Sequence, residues 1–124
     1  MTSQLVSIVD DDPSVRRGLA RLLRSAGHQT VSYASAAEFL GAGLSSGPAC
    51  AILDIHLGGM SGLELLAQLR ASGSDLPVII ITAHDDPRSR EESERLGCAA
   101  YLRKPFEAPE LLGAVFAALG RKAA

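Results

Sequence analysis

The 124-residue sequence predicts an α/β fold with a parallel sheet. Two observations carry this. Five apolar runs alternate strictly with five stretches of helical periodicity, the arrangement that feeds right-handed crossovers. The strongest run, Pro77–Thr82 (PVIIIT), is β-branched and has no polar alternation, so it reads as a strand covered on both faces. Ala, Leu, Ile and Val supply most of the apolar content and Trp is absent, which suits helices laid on a buried sheet.

The first strand is Leu5–Val9. Val15, Leu19, Leu22, Leu23 and Ala26 then fall on one face of a helix, with Asp12 as N-cap, Pro13 at the first helical position and Gly27 as the stop. His28–Tyr33 is a weaker strand. Ser35 with Glu38, and Ser61 with Glu64, have the spacing of capping boxes. Gly41–Pro48 reads as a loop between the second helix and a third strand, Ala49–Leu53. Val78–Ile81 is the fourth strand. Asp86-Pro87 opens a fourth helix that stops at Gly97, with Leu96 its only large apolar anchor; so light a packing favours motion. Ala99–Arg103 is the fifth strand, and the last helix runs from about Glu107 to Leu119, leaving Gly120–Ala124 as a frayed end or the start of something removed. No linker or low-complexity tract divides the chain, so residues 1–124 read as one domain.

Composition narrows the function. A net charge of −2 argues against a bulk electrostatic grip on nucleic acid or an anionic membrane. No stretch is long and apolar enough to span a bilayer. The N-terminus, MTSQLVSIVD, lacks the basic region and apolar core of a signal peptide. Cys50 and Cys98 have neither CxxC spacing nor a histidine at zinc-finger distance, so they read as reduced, buried small hydrophobes in a cytosolic protein.

Polar residues end the apolar strands. The first strand ends in Asp10 and Asp11, the third in Asp54, the fourth in Thr82, and the fifth in Lys104-Pro105. A parallel sheet puts these ends along one edge, where open α/β sheets bind ligands. Neighbouring carboxylates repel by about 1 kcal/mol even in water, so three together call for a cation. Oxygen-only ligands select a hard ion such as Mg²⁺, which keeps waters and leaves room for a phosphate oxygen, with Mn²⁺ as a substitute. Lys104 adds a point charge for phosphate and Thr82 a hydroxyl donor. Asp12 is assigned to the helix cap rather than to the metal.

The segments VDDD (Val9–Asp12), ILDIHLGGMSGLELL (Ile52–Leu66), IITAH (Ile80–His84) and YLRKPF (Tyr101–Phe106) together resemble the receiver domain of two-component response regulators, CheY-like and nearest the FixJ type. The resemblance covers essentially the whole chain. It implies a flavodoxin-like, doubly wound sheet of order 2-1-3-4-5 with five helices. It also implies phosphorelay signalling in a bacterial cytoplasm, with Asp54 taking a phosphoryl group from a sensor histidine kinase or phosphotransfer protein. Asp10 and Asp11 match the acidic pair that holds Mg²⁺ with Asp54, Asp11 being favoured as the direct ligand, and the backbone carbonyl of His56 completes the set. Thr82 matches the switch hydroxyl, Lys104 the lysine that pairs with the phosphoryl group, and Tyr101 the aromatic that swings inward as Thr82 moves. The bond before Pro105 is then expected to be cis. The output face is expected on the fourth helix, fifth strand and fifth helix, with a homodimer on phosphorylation and no enzyme activity beyond self-directed phosphotransfer and autodephosphorylation.

The chain departs from that pattern at Gly58, where receivers commonly carry proline four residues past the acceptor. His56 and His84 read as exposed loop histidines rather than a two-histidine metal site; the resemblance implies that these positions flank the site and tune autodephosphorylation. Arg17, Arg21 and Arg24 make a basic stripe on the first helix, either a solvated face or a docking surface for a kinase helix bundle. Competing functions fit less well. A strand-end Asp phosphatase of the haloacid-dehalogenase kind wants a DxD pattern at the first strand and a cap insertion. A flavin or nucleotide binder wants a Ser/Thr/Gly-rich loop where three carboxylates stand. A degenerate receiver, acting as a phosphorylation-independent interaction module, is the alternative. No helix-turn-helix follows Leu119, so direct DNA binding by this chain is not expected.

Overall fold

The computed structural model describes residues 4–123. Met1–Ser3, part of the stretch judged unlike a signal peptide, and Ala124 lie outside the described residues. Five parallel strands, β1 (Leu5–Val9), β2 (Gln29–Tyr33), β3 (Cys50–Asp54), β4 (Val78–Thr82) and β5 (Ala100–Arg103), form one sheet in the order β2-β1-β3-β4-β5. Helices α1 (Pro13–Ser25), α2 (Ala36–Glu38), α3 (Gly62–Ala71), α4 (Pro87–Arg95) and α5 (Ala108–Ala123) connect or follow them. This is the doubly wound order expected from the resemblance.

Period-2 alternation splits the core into two layers. Val9, Leu53, Val78 and Ile80 face Phe39, Leu65, Leu66 and Leu69 of the α2–α3 side. Val6, Ile8, Ile52, Ile79 and Ile81 face Leu19 and Leu23 of α1 and Leu111, Val115 and Leu119 of α5. β3 and β4 are therefore buried along their whole length, as the unbroken PVIIIT run requires. Cys50 sits in the second layer, where burial pushes its thiol up to about 12; both cysteines are free.

The helix caps follow the sequence with one exception. The Asp12 carboxylate accepts from the Ser14 N–H at 2.8 Å and Pro13 opens α1. Ser61 and Glu64 form a complete capping box. At α2 only half the box forms, because Glu38 Oε1 takes the N–H of Ala34 rather than that of Ser35.

Two other expectations need correction. Gly41–Pro48 is not a plain loop: α2 continues as a π turn over Phe39–Gly43 and a 3₁₀ turn over Leu44–Ser46. The fully buried Phe39 ring, edge-on to Tyr33 at 5.5 Å, explains this. A Cβ at Gly43 would lie 2.2 Å from that ring, so only glycine lets the turn close over it. The end of the chain is helical as far as Ala123. Gly120 keeps a negative φ there, unlike the left-handed Gly27 and Gly97 that follow α1 and α4.

Helix α4 buries only Ser93, while Leu96 just beyond it packs partly into the first layer. Its C-terminal end is held from outside. The Arg70 guanidinium donates to the carbonyls of Leu96 (2.9 Å) and Gly97 (3.1 Å), and to those of Ser74 (3.1 Å) and Leu76 (2.9 Å).

Close approach matters most at Gly62. Its N–H donates to Ile55 O at 2.9 Å, and an added Cβ would stand 2.2 Å from the Asp54 carbonyl oxygen. Backbone on both sides leaves no flexible group to yield. Gly62→Ala is expected to lose about 1–3 kcal/mol in urea denaturation. Gly113→Ala, on the exposed side of α5 with open space around it, is expected to gain up to about 1 kcal/mol.

Candidate functional site

The register brings the polar strand ends together. Val9 lies beside Leu53, Asp54 beside Ile81, and Thr82 beside Arg103. Asp10, Asp54, Thr82 and Lys104 thus occupy the C-terminal edge of four adjacent strands. Asp10, Asp54 and Thr82 are buried, whereas Asp11 is exposed.

Asp10 is held on every side. Its N–H donates to Tyr33 O at 3.1 Å, and its carbonyl accepts from Arg16 Nη1 at 2.7 Å. Oδ1 accepts from the Asp12 N–H at 2.9 Å and Oδ2 from Lys104 Nζ at 3.1 Å. Lys104 also reaches Asp54 Oδ2 at 3.6 Å, and the peptide bond to Pro105 is cis, as expected. Asp54 Oδ1 accepts from the His56 N–H at 3.3 Å. The carboxylates of Asp10, Asp11 and Asp54 each offer an oxygen within 4.8 Å of the others.

Burial, then the charge of Asp10, raises the pKa of Asp54; Lys104 and the His56 N–H oppose this, and Asp11 adds a smaller upward push. One ammonium faces three carboxylates. The donor set is all oxygen, and its uncompensated charge is negative. Both properties fit a hard divalent cation.

The Thr82 hydroxyl is committed to its own turn. It donates to His84 O and accepts from the His84 N–H, both at 3.0 Å. Tyr101 lies half-buried against the first core layer, with the Arg90 guanidinium 4.7 Å above its ring. Arg90 pairs with Asp85 at 2.8 Å, and Arg103 approaches the same carboxylate at 3.8 Å. Tyr101 Oη and Asp85 Oδ1 are both buried, and the two side chains face each other outside ideal hydrogen-bond geometry. Burial first, and the neighbouring Asp85 second, push the phenol up, while Arg90 holds Asp85 below the usual carboxylate range.

Sequence reasoning identified all five strand-end groups but missed several supporting residues. Arg16 stands one position before the basic stripe and braces the Asp10 carbonyl. Asp85 and Arg90 surround Tyr101. Gly62 permits the approach of α3 to Asp54, and nothing in a single sequence marks it. Arg17, Arg21 and Arg24 are exposed on α1, and two of them line a shallow cleft with Arg16 and Ser32.

Residues 6–116 match the response regulator receiver domain family. The chain is 43% identical over 118 residues to the transcriptional regulatory protein FixJ of Azorhizobium caulinodans, covering 95% of this chain and 56% of that protein. It spans about half the length of the curated relatives it matches. A response regulator receiver protein from Burkholderia phymatum superposes with a TM-score of 0.82 at 44% identity, over 95% of this chain and 96% of that one. A CheY-like receiver domain protein from Methanospirillum hungatei superposes with a TM-score of 0.92 at 25% identity, over 98% of each. With its strand order, its acidic strand ends and these relatives in agreement, the chain belongs to the response regulator receiver family.

Proposed function

We propose that this receiver accepts a phosphoryl group on Asp54 from a phosphohistidine of a sensor histidine kinase or phosphotransfer protein. The observation that carries the reading is the Lys104 ammonium standing 3.1 Å from Asp10 and 3.6 Å from Asp54. That arrangement holds a cation beside a carboxylate nucleophile, at a sheet edge open to a donor.

In the transfer, an Asp54 carboxylate oxygen forms the new bond to phosphorus as the bond to the donor imidazole nitrogen breaks. The transition state is loose, so the protein's work is placement and neutralisation of charge. Lys104 meets the equatorial oxygens. Asp10 is fixed by Tyr33, Arg16 and Asp12, and in turn holds Lys104 in place. The His56 N–H keeps Asp54 oriented. Asp10, Asp11, Asp54 and the His56 carbonyl would hold Mg²⁺, which when bound supplies positive charge to the carboxylates and phosphoryl oxygens.

Switching follows from the competition for Thr82. Its hydroxyl exchanges the His84 backbone for a phosphoryl oxygen, and Tyr101 moves inward from beneath Arg90. Helix α4, strand β5 and helix α5 then form the output face, and phosphorylated chains pair as homodimers. The exposed arginines of α1 offer the kinase its docking surface.

Acetyl phosphate with Mg²⁺ is expected to add one phosphoryl group, read by intact mass. Asp54→Asn and EDTA should each abolish the gain, and Lys104→Ala should slow it by at least about tenfold. A folded chain that gains nothing would instead be a phosphorylation-independent interaction module.

The raised pKa of Asp54 also predicts a pH dependence. Between its unfolded and folded pKa values the native chain binds more protons than the unfolded one, so folding stability falls as pH rises through that interval. Without divalent ions, Asp54→Asn should melt at a higher temperature than the parent near about pH 7.5, and the difference should shrink towards about pH 4. An equal difference at both pH values would assign it to packing rather than charge.

A further inference from the structure

His56 and His84 follow different strands, β3 and β4, yet their rings meet. The centroids are 5.0 Å apart and the planes stand at 90°. Both residues are exposed, and no ring nitrogen of either hydrogen-bonds a described residue. Two imidazoles with free nitrogens therefore stand together at the mouth of the acidic pocket. One is two residues from Asp54 and the other two from Thr82.

The spacing suits a shared ion. A transition metal lies about 2.0–2.1 Å from an imidazole nitrogen, hence about 3.2 Å from the ring centroid; two rings at a tetrahedral angle then have centroids about 5.2 Å apart. An edge-to-face contact between neutral rings would give a similar distance, so the ring nitrogens decide the matter. Imidazole pairs select Zn²⁺, Cu²⁺ or Ni²⁺, whereas the oxygen-only pocket beneath selects Mg²⁺. The two sites differ in chemistry: the cluster of three ligating groups among the described residues is Asp10, Asp11 and Asp54, and neither imidazole belongs to it, so the histidines supply two ligands and no third protein group.

We propose that His56 and His84 chelate a borderline transition-metal ion of the Zn²⁺ class across the mouth of the acidic pocket, with water in the remaining positions. An ion there fastens the loop whose His84 backbone holds the Thr82 hydroxyl. It therefore opposes release of that hydroxyl, a consequence that rests on the switching role proposed for Thr82.

The binding itself is tested on the unphosphorylated chain, so its outcome is independent of phosphotransfer. Ni²⁺ is titrated calorimetrically with Mg²⁺ in large excess to occupy the carboxylates. One Ni²⁺ per chain is expected, with selective paramagnetic broadening of the His56 and His84 imidazole NMR signals. Removing a direct ligand should weaken binding at least as much as removing a partner behind one, by roughly tenfold or more, in both His84→Gln and His56→Gln. His28→Gln should bind as the parent does. Loss of Ni²⁺ binding under excess Mg²⁺, or unchanged affinity in folded His84→Gln, would overturn the proposal and leave the two rings an aromatic contact only.

Discussion

Asp10 and Asp54 come from adjacent strands and are buried at the same sheet edge, with one ammonium between them. Much of the surrounding structure serves to make that juxtaposition tolerable. The backbone and carboxylate of Asp10 are satisfied by Tyr33, Arg16, Asp12 and Lys104. The parallel register sets the spacing, and the two apolar layers hold the register, because a one-residue slip would turn each strand's core residues to the wrong side. Repulsion is thereby stored at one edge, where burial and the neighbouring Asp10 raise the pKa of Asp54 and the uncompensated charge is negative.

Much of this was legible in the sequence because it lies on strands. PVIIIT can only be a doubly covered strand, and each polar residue that ends an apolar run becomes a station at one edge. The N-cap role of Asp12 separated it from the pair beside it, and the structure bears that out. Less was legible where packing overrides local pattern. Glycines and serines made Gly41–Pro48 look like a loop, but the buried Phe39 ring winds the chain into helical turns. Gly62 carries no local signal because its role is a contact with the Asp54 backbone. The meeting of His56 and His84 depends on two loops from different strands, which spacing along the chain does not encode.

The surface around Tyr101 is built differently from the acidic edge. Tyr101, Arg90, Asp85 and Arg103 interact through charge and a ring face at partly exposed positions, where such contacts contribute modestly. A tightly bonded acidic edge thus stands beside a loosely bonded surface.

Helix α4 is nine residues long, about 13 Å from end to end. Arg70 ties the carbonyls just past its C-terminus to the α3–β4 connection, whereas its N-terminus is held by the Asp86 cap and the Asp85–Arg90 pair. The C-terminal tie is made by four hydrogen bonds from one guanidinium, the N-terminal one by exposed ion pairs and a ring face, so a push on α4 favours tilting about its C-terminal end. Displacement then grows along its length and is greatest beside the β4–α4 loop. A partner docked on α4 would therefore read an angle rather than a translation, and would gain sensitivity by gripping the helix near Pro87 rather than near Arg95.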